Sequence, residues 1–186
     1  MDFSQRFKKK YQISPDAYGQ DPVLGLKKAV SYIPGNKVLD LGVGSGRNTT
    51  YLIQQELQVT GVDSSKEGLE ILQNRIDSKN LSLIEQDVLE YPFDDKFDLV
   101  ISVGLMHFLK SEESDYLFNK MQNATSSGGV NFIIVKMSQN KRGDLPNVFE
   151  PNQLKNIYTD KQWKILEYQE VQTEYKKIAR IIAQKV

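Results

Sequence analysis

The sequence predicts an α/β fold in which a doubly wound, mostly parallel sheet ends in a C-terminal antiparallel hairpin. Two observations predict it. From about Lys37 onward, short apolar runs alternate with helix-like segments, which is the pattern of a parallel sheet with helices on both faces. Near the C-terminus, β-like runs at residues 163–171 and 176–183 follow one another across a short connection, which indicates an antiparallel pair.

Earlier strand and helix patterns complete the arrangement. The strand patterns lie at residues 38–41, 58–62, 81–85, 97–103 and 130–135, and the fourth is so apolar that it should be buried on both faces. The helix patterns lie at residues 22–33, after Gly46, around residues 69–76, at residues 112–124 and from Pro151. Ser64 and Ser65 are candidate N-caps, and Gly128-Gly129 is predicted to end the fourth helix.

Length and composition narrow the possible chemistry. The 186 residues fit one domain, with residues 1–35 as an N-terminal helix and lid and residues 36–186 as the core. With no Cys and one His, a disulfide framework, a thiolate or multi-histidine metal site and a Cys nucleophile are excluded. The zero formal net charge argues against a general nucleic-acid binder. We expect no metal, no membrane partner, a cytoplasmic location, and a monomer or homodimer.

Polar and glycine-rich segments follow four strand patterns in succession. Gly42, Gly44 and Gly46 form a loop after the first, Asp63 and Ser64 follow the second, Asp87 and Val88 the third, and Ser102 ends the fourth. In a doubly wound sheet these strand ends meet at one rim, where ligands bind. A carboxylate such as Asp63 can accept hydrogen bonds from a ribose diol, and Asp87 from an adenine amine. The rim therefore predicts a site for an adenosine-containing cofactor.

The spacing of the glycines helps to identify that cofactor. A dinucleotide loop of the form G-x-G-x-x-G needs its third glycine at position 47, where this chain has Arg47. The Gly-Lys-Ser/Thr of a nucleoside-triphosphate loop is absent. Asp40, just upstream, would repel a pyrophosphate but suits a cationic amino group and a sulfonium. It can also simply anchor the loop amides.

These segments resemble the motifs of class I S-adenosylmethionine (SAM) methyltransferases. The matching stretches are residues 38–46, 62–63, 85–88 and 97–102, in the usual order and spacing. Residues 44–48 with 51–52, 102–109, 18–19 and 149–154 are similar, more narrowly, to the bacterial tellurite-resistance methyltransferase family. The resemblance implies a seven-stranded Rossmann-like sheet, SAM as cofactor, and methyl transfer to a small-molecule nucleophile, including a metalloid oxyanion of the tellurite or selenite type.

The closing hairpin departs from the family pattern. The family has a His-Arg pair and a further Arg there, whereas residues 170–177 contain neither His nor Arg, and the nearest basic residues are Lys176 and Lys177. In the glycine loop, Val43 stands where the family usually has Cys.

Other candidate residues allow two interpretations each. Arg47 can clamp an anion or be a solvated residue at a helix start, and Asn48 can cap the loop or contact SAM. Tyr18, with Tyr11, can form a lid over the cofactor. His107 is a candidate general base, or an imidazole packed in the first turn after the fourth strand.

Three functions remain open at this point. The first is a small-molecule methyltransferase. The second is a protein or RNA methyltransferase that uses the loop at residues 136–151. The third is a non-catalytic module that binds SAM or S-adenosylhomocysteine (SAH) for regulation. The basic run Lys8-Lys9-Lys10 can steer an anionic substrate or be a solvated tail.

Overall fold

The computed structural model describes residues 3–173 and 177–186, and these form one seven-stranded sheet flanked by helices. The strands are β1 (Lys37–Leu41), β2 (Gln58–Asp63), β3 (Leu81–Glu85), β4 (Phe97–Val103), β5 (Thr125–Lys136), β6 (Trp163–Gln172) and β7 (Lys177–Lys185). The helices are α1 (Phe3–Ile13), α2 (Leu26–Val30), α3 (Arg47–Gln54), α4 (Lys66–Arg75), α5 (Ser111–Ala124) and α6 (Gln153–Asn156), with a 3₁₀ turn at Met106–Phe108.

The strand order places a binding crevice between two halves of the sheet. The order is β3-β2-β1-β4-β5-β7-β6, with β1 to β5 parallel and with β7 antiparallel to both of its neighbours. After β3 the chain crosses to the other side of β1 and continues with β4, so the topological switch point lies between β1 and β4. The predicted doubly wound sheet with its closing hairpin is confirmed.

The core occupies both faces of the sheet. Leu117 of α5 packs on one face, while Leu26 of α2 and Leu52 of α3 pack on the other. Side chains alternate between the two faces along β4, so this strand contributes to the core on both. Val100 packs in the cluster of Leu117, and Leu99 packs in the cluster of Leu26 and Leu52. The strand predicted to be buried on both faces is confirmed as such, which makes β4 the central support of the rim.

The first predicted helix is shorter than its sequence pattern. The structure has helix only over α2, preceded by Gly25 at a φ of 99°. The backbone N–H of Val23 donates to Oδ1 of Asn48 at 3.1 Å, so this part of the chain is tied to the glycine-loop region. The prediction of a helix from residue 22 was wrong, because a tertiary hydrogen bond and a left-handed glycine define this segment instead.

Two further boundaries also differ. The helix before β5 ends at Ala124, and β5 begins at once, so Gly128 and Gly129 lie inside the strand rather than ending the helix. They accompany a register irregularity between β4 and β5, and a Cβ on Gly129 would lie 2.9 Å from the Ser126 carbonyl oxygen. At the other boundary, α6 begins at Gln153, two residues after Pro151.

The closing hairpin lies where the pattern predicted it, at one edge of the sheet. β6 is the edge strand, and β7 pairs with β5 over Val130↔Gln184 to Lys136↔Ile178. The predicted start of the last strand at Lys176 falls outside the described residues. Across the described ranges, no helix combines the length and apolarity needed to span a bilayer.

Candidate active site

The loop after β1 depends on glycine because its backbone turns repeatedly through the left-handed region. Gly42, Gly44 and Gly46 have φ values of 77°, 55° and 83°, which L side chains rarely adopt. The N–H of Gly42 donates to the Val62 carbonyl at 2.9 Å, which ties the loop to β2. α3 then begins at Arg47, so the loop presents backbone directly at a helix start on the carboxyl edge of the sheet.

Asp63 is fixed by the loop and by the start of α4. Its Oδ2 accepts from the N–H of Gly44 at 2.7 Å, and its Oδ1 accepts from the N–H of Ser65 at 2.8 Å. Burial raises the pKa of Asp63 above its ordinary value, and these amide donors oppose that effect. A carboxylate has about four lone-pair sites, so it can still accept from the two hydroxyls of a diol.

Asp87 and Val88 extend the site beyond β3. Asp87 is exposed, and its Oδ1 accepts from the N–H of Leu89 at 2.9 Å, so the carboxylate caps the turn that follows. Val88 is buried beside it. Ser64 is exposed on the same rim, whereas Ser65 caps α4 through a 3.3 Å hydrogen bond from the N–H of Gly68. Of the two predicted N-caps, Ser65 has that role.

One cleft of about 1220 Å³ runs along this edge. Lining residues from the first three strand ends are Gly42, Gly44, Gly46, Arg47, Asn48, Asp63, Ser64, Asp87 and Val88. Lining residues after β4 and β5 include Gly104, His107, Phe108, Lys136, Lys141 and Arg142. The convergence predicted from the strand ends is therefore present in the fold.

The N-terminal helix α1 covers part of the cleft. Its Tyr11 is buried at 5% exposure, and a Cβ on Gly44 would collide with the Tyr11 hydroxyl. Tyr18 also lines the cleft, with its ring edge-on to Tyr11 at 6.2 Å between centroids. The predicted lid residues thus lie against the glycine loop. Sequence periodicity did not identify α1 as a separate helix, because its apolar face is short and aromatic.

Arg47 and Asn48 hold the segment that follows the lid. The Arg47 guanidinium donates to the carbonyls of Tyr18 and Asp21, the latter at 3.1 Å, and Asn48 accepts from the Val23 amide. Both side chains line the cleft, but both are engaged by backbone groups and not free to bind an anion. These hydrogen bonds to backbone groups make both side chains positioning residues for residues 18–23.

Asp40 and Ser102 are buried and are not among the residues that line the cleft, so their assignment to the cofactor, through water in the case of Asp40, stays a prediction. Asp40 is 2% exposed, and its Oδ2 accepts a 2.6 Å hydrogen bond from the hydroxyl of Thr49 on α3. Burial raises its pKa to about 7. Ser102 is fully buried, and its hydroxyl has no hydrogen-bond partner among the described residues. Both point into the packed layer because they lie on strands buried on both faces.

His107 combines the two interpretations that its sequence position allowed. It lines the cleft just past β4, yet it is only 3% exposed and packs on Phe108 with ring centroids 4.3 Å apart. Burial, followed by the charge of Lys136, lowers its pKa to about 3, so the imidazole is neutral at pH 7. Its Nδ1 is buried and has no partner among the described residues.

Several cations around the cleft escaped the sequence analysis of the site. Lys136, at the end of β5, is half-buried in the lining, and Lys141 and Arg142 follow in the next loop. Arg6 of α1 pairs with Asp144 and so connects the lid to that loop. Of the basic run, Lys8 pairs with Glu67 at 2.9 Å, whereas Lys9 and Lys10 line the cleft. The sequence offered the run Lys8-Lys9-Lys10 as a candidate for steering an anion, but only the fold brings it together with Lys136 and with residues 141–142.

The hairpin contributes no cation to the cleft lining within the described ranges. Arg180 lies on the opposite face of the sheet, where it donates to the Leu24 carbonyl at 2.7 Å and to Glu167 at 2.6 Å. Lys177 is not among the residues that line the cleft, and Lys176 lies outside the described residues. In the same ranges, no group of three or more His, Cys, Asp or Glu side chains is placed to hold a metal ion.

Comparison with known proteins identifies the family of this chain. The family model described as "Tellurite resistance protein TehB" matches residues 3–181. The chain belongs to the TehB family. The match includes α1, the glycine loop and most of the hairpin, so family membership extends well beyond the cofactor motifs. The resemblance noted in the sequence is thereby confirmed.

Individual TehB relatives and solved structures give the extent of the similarity. The chain is 32% identical over 150 residues to a probable S-adenosyl-L-methionine-dependent methyltransferase TehB of Haemophilus influenzae strain 10810, covering 76% of this chain and 51% of that protein. The crystal structure of TehB from Haemophilus influenzae superposes with a TM-score of 0.77 at 27% identity, covering 98% of this chain and 67% of that one. The chain thus spans about half the length of the curated relatives it matches.

A more distant structure confirms the fold alone. The N-methyltransferase NodS from Bradyrhizobium japonicum WM9, in complex with SAH, has a TM-score of 0.79 at 14% identity, covering 100% of this chain and 99% of that one. The sheet of the TehB-family chain is therefore the Rossmann-like sheet of class I methyltransferases.

Proposed function

We propose that this chain is a SAM-dependent methyltransferase that acts on a small-molecule nucleophile. One observation carries the proposal: the glycine loop, Asp63 and Asp87-Val88 line one half of a single cleft, and residues after β4 and β5 line the other half. The cleft of about 1220 Å³ exceeds the roughly 300–1,000 Å³ typical of small-ligand pockets, so there is room for a cofactor and an acceptor. Membership of the TehB family supports the same conclusion.

The first half of the cleft fits the nucleoside part of SAM by its donor and acceptor chemistry. Asp63 is held in place by two backbone amides and retains lone pairs for the ribose hydroxyls. Asp87 and the Val88 backbone suit the adenine edge, and Ser64 lines the same half of the cleft. Gly44 has no Cβ, which leaves room for the Tyr11 hydroxyl, so the lid packs directly on the backbone of the glycine loop.

SAM supplies a methyl group on a cationic sulfonium, whose sulfur departs as a neutral thioether. The residues of the chain then have to align the acceptor and exclude water. Phe7 and Phe108, whose rings meet edge-on at 5.0 Å, provide an apolar cover over the acceptor half. His107 is neutral, so its imidazole can accept a proton from an acceptor that carries one, although its low pKa makes it a weak base.

A metalloid oxyanion of the tellurite or selenite type is our leading acceptor. The family supports it, and so do the cations in the acceptor half of the cleft. A protein or RNA acceptor, or a module that binds SAM without turnover, are the competing functions. We also propose that residues 1–186 act as one domain, with residues 1–35 as its lid, and that it works in the cytoplasm.

The test is calorimetric titration of SAM and SAH into the wild type and into Asp63→Ala. Loss of hydrogen bonds to a charged acceptor, worth about 1.5–3 kcal/mol each, should weaken SAM binding at least tenfold. Asp115→Ala, which removes an exposed carboxylate on α5, is the matched control and should bind as the wild type does. Unchanged affinity in a folded Asp63→Ala variant would overturn the site.

Labelled-methyl transfer then separates the candidate functions. We expect a methylated product from selenite or tellurite, or from another small nucleophile, and none from bulk protein or RNA. Binding of SAM without product from any acceptor would favour the regulatory module.

A further inference from the structure

Charge is divided between the two halves of the cleft. The carboxylates of the lining, Asp63 and Asp87, belong to the half formed after β2 and β3. The half formed after β4 and β5 carries Lys136, Lys141 and Arg142, and no carboxylate lines it within residues 3–173 and 177–186. Because the whole chain has 24 basic and 24 acidic residues, this separation is a local property of the cleft and not a consequence of net charge.

Lys136 lies in surroundings that are unfavourable for a charge. It is half-buried at the end of β5, and no ion pair to a carboxylate is present for it among the described residues. Burial, followed by the like charge of Lys10, lowers its pKa below the ordinary value. The acid on the neighbouring loop, Asp144, is engaged by Arg6. A bound anion would compensate the charges of both lysines.

Buried nitrogens without hydrogen-bond partners among the described residues belong to two residues of the same cleft. The Nδ1 of His107 and the Nε of Arg6 are buried, and neither has a hydrogen-bond partner among the described residues. Both residues line the cleft together with Lys136. Buried polar groups are normally paired, so the unpaired Nε–H of Arg6, and the Nδ1 of His107 in the tautomer that carries its proton there, point to a ligand with acceptor oxygens.

We propose that Lys136, with Lys10 of α1 beside it, binds an anionic oxygen group of the methyl acceptor and determines which acceptors this chain accepts. The inference rests on the proposed function, since it assigns the acceptor half of that cleft. Lys136 is the last residue of β5, which is separated from β1 and the glycine loop by β4, so it lies on the acceptor side of the switch point. The oxygen group can belong to an inorganic oxyanion or to the carboxylate of an organic molecule.

The experiment measures anion binding directly, without turnover. Inorganic selenite and benzoate are titrated separately into the full chain by calorimetry, with and without saturating SAH, after the SAH affinity of each variant has been determined. The variants are Lys136→Met, the charge-conserving Lys136→Arg, and Lys164→Met, which removes an exposed lysine on β6 as a matched control. Thermal melting confirms that each variant is folded.

We expect Lys136→Met to weaken anion binding at least tenfold while SAH affinity stays within twofold. Lys136→Arg should retain most of the binding, and Lys164→Met all of it. Binding of selenite alone identifies an inorganic oxyanion subsite, and binding of benzoate alone identifies a carboxylate subsite. Both outcomes support the inference.

Three results would overturn it. The first is anion binding that is unchanged in Lys136→Met. The second is no binding of either probe to the wild type. The third is a parallel loss of SAH affinity, which would assign Lys136 to the carboxylate of the cofactor. If the wild type does not bind SAH, the proposed function fails, whereas the titrations without SAH still decide the role of Lys136.

Discussion

Replacing Asp40 by Asn tests the electrostatics beneath the glycine loop. Asp40 is buried at 2% exposure, and its carboxylate accepts one hydrogen bond from Thr49, at 2.6 Å. Asn has nearly the same shape and can accept the same hydrogen bond through its carbonyl oxygen. The substitution therefore removes the titration of this site and leaves most of the packing unchanged.

The direction of the effect follows from the raised pKa. In the folded chain the pKa of Asp40 is about 7, against 3.8 as its ordinary value, so folding favours the protonated acid. Its contribution to stability is fully present below about pH 4 and is lost as the pH rises through 7. The difference between the two pKa values corresponds to a change of at most about 4 kcal/mol in the free energy of unfolding. We expect a change of about 1–3 kcal/mol, because the surroundings of Asp40 relax.

Urea unfolding at several pH values between 4 and 8 measures this effect. The difference in free energy of unfolding between D40N and the wild type should move in favour of D40N by about 1–3 kcal/mol as the pH rises. A constant offset between the two proteins reflects amide packing and does not affect the argument. A difference that stays constant with pH, or that moves in favour of the wild type, would refute the reasoning.

Two further predictions concern the same cleft. Gly44→Ala should lower the free energy of unfolding by at least about 1 kcal/mol more than Gly143→Ala does. Both glycines have positive φ, but only a Cβ on Gly44 would collide with Tyr11. Equal losses of stability in urea unfolding would contradict this contact. His107, as the only His in the sequence, gives an unambiguous NMR signal, and its imidazole resonances should not titrate between pH 5 and 8 because its pKa is lowered to about 3. A midpoint near 6.5 would show that the imidazole is not buried.

Much of the fold could be read from local patterns. β3 and β4 have the bounds that their sequence patterns predicted. For β4 the reason is that a parallel strand buried on both faces leaves a short, continuous apolar signal, whereas β3 is a partly exposed edge strand. The predicted element boundaries were wrong where contacts between distant residues override the local secondary-structure propensity. The helix predicted from residue 22 is cut short by the bond from Val23 to Asn48, and Gly128 continues a strand because β4 lies beside it.

The candidate site divides in the same way. The glycine loop, Asp63 and Asp87 follow consecutive strands, so their meeting at one rim followed from topology alone. Arg47 was placed correctly at the helix start. Its hydrogen-bond partners are carbonyls more than 25 residues earlier in the chain, and motif spacing does not predict such partners. Its role as a positioning residue needed the structure.

The sequence by itself determined the nucleoside half of the cleft, because glycine conformation, strand ends and a carboxylate after each strand are local properties. The tertiary structure decided the acceptor half. Lys10 and Lys136 are remote in sequence, and only the packing of α1 over the sheet makes them neighbours. Arg180 is excluded from that half because strand side chains alternate between faces, and the register of β7 directs it away from the cleft toward Glu167.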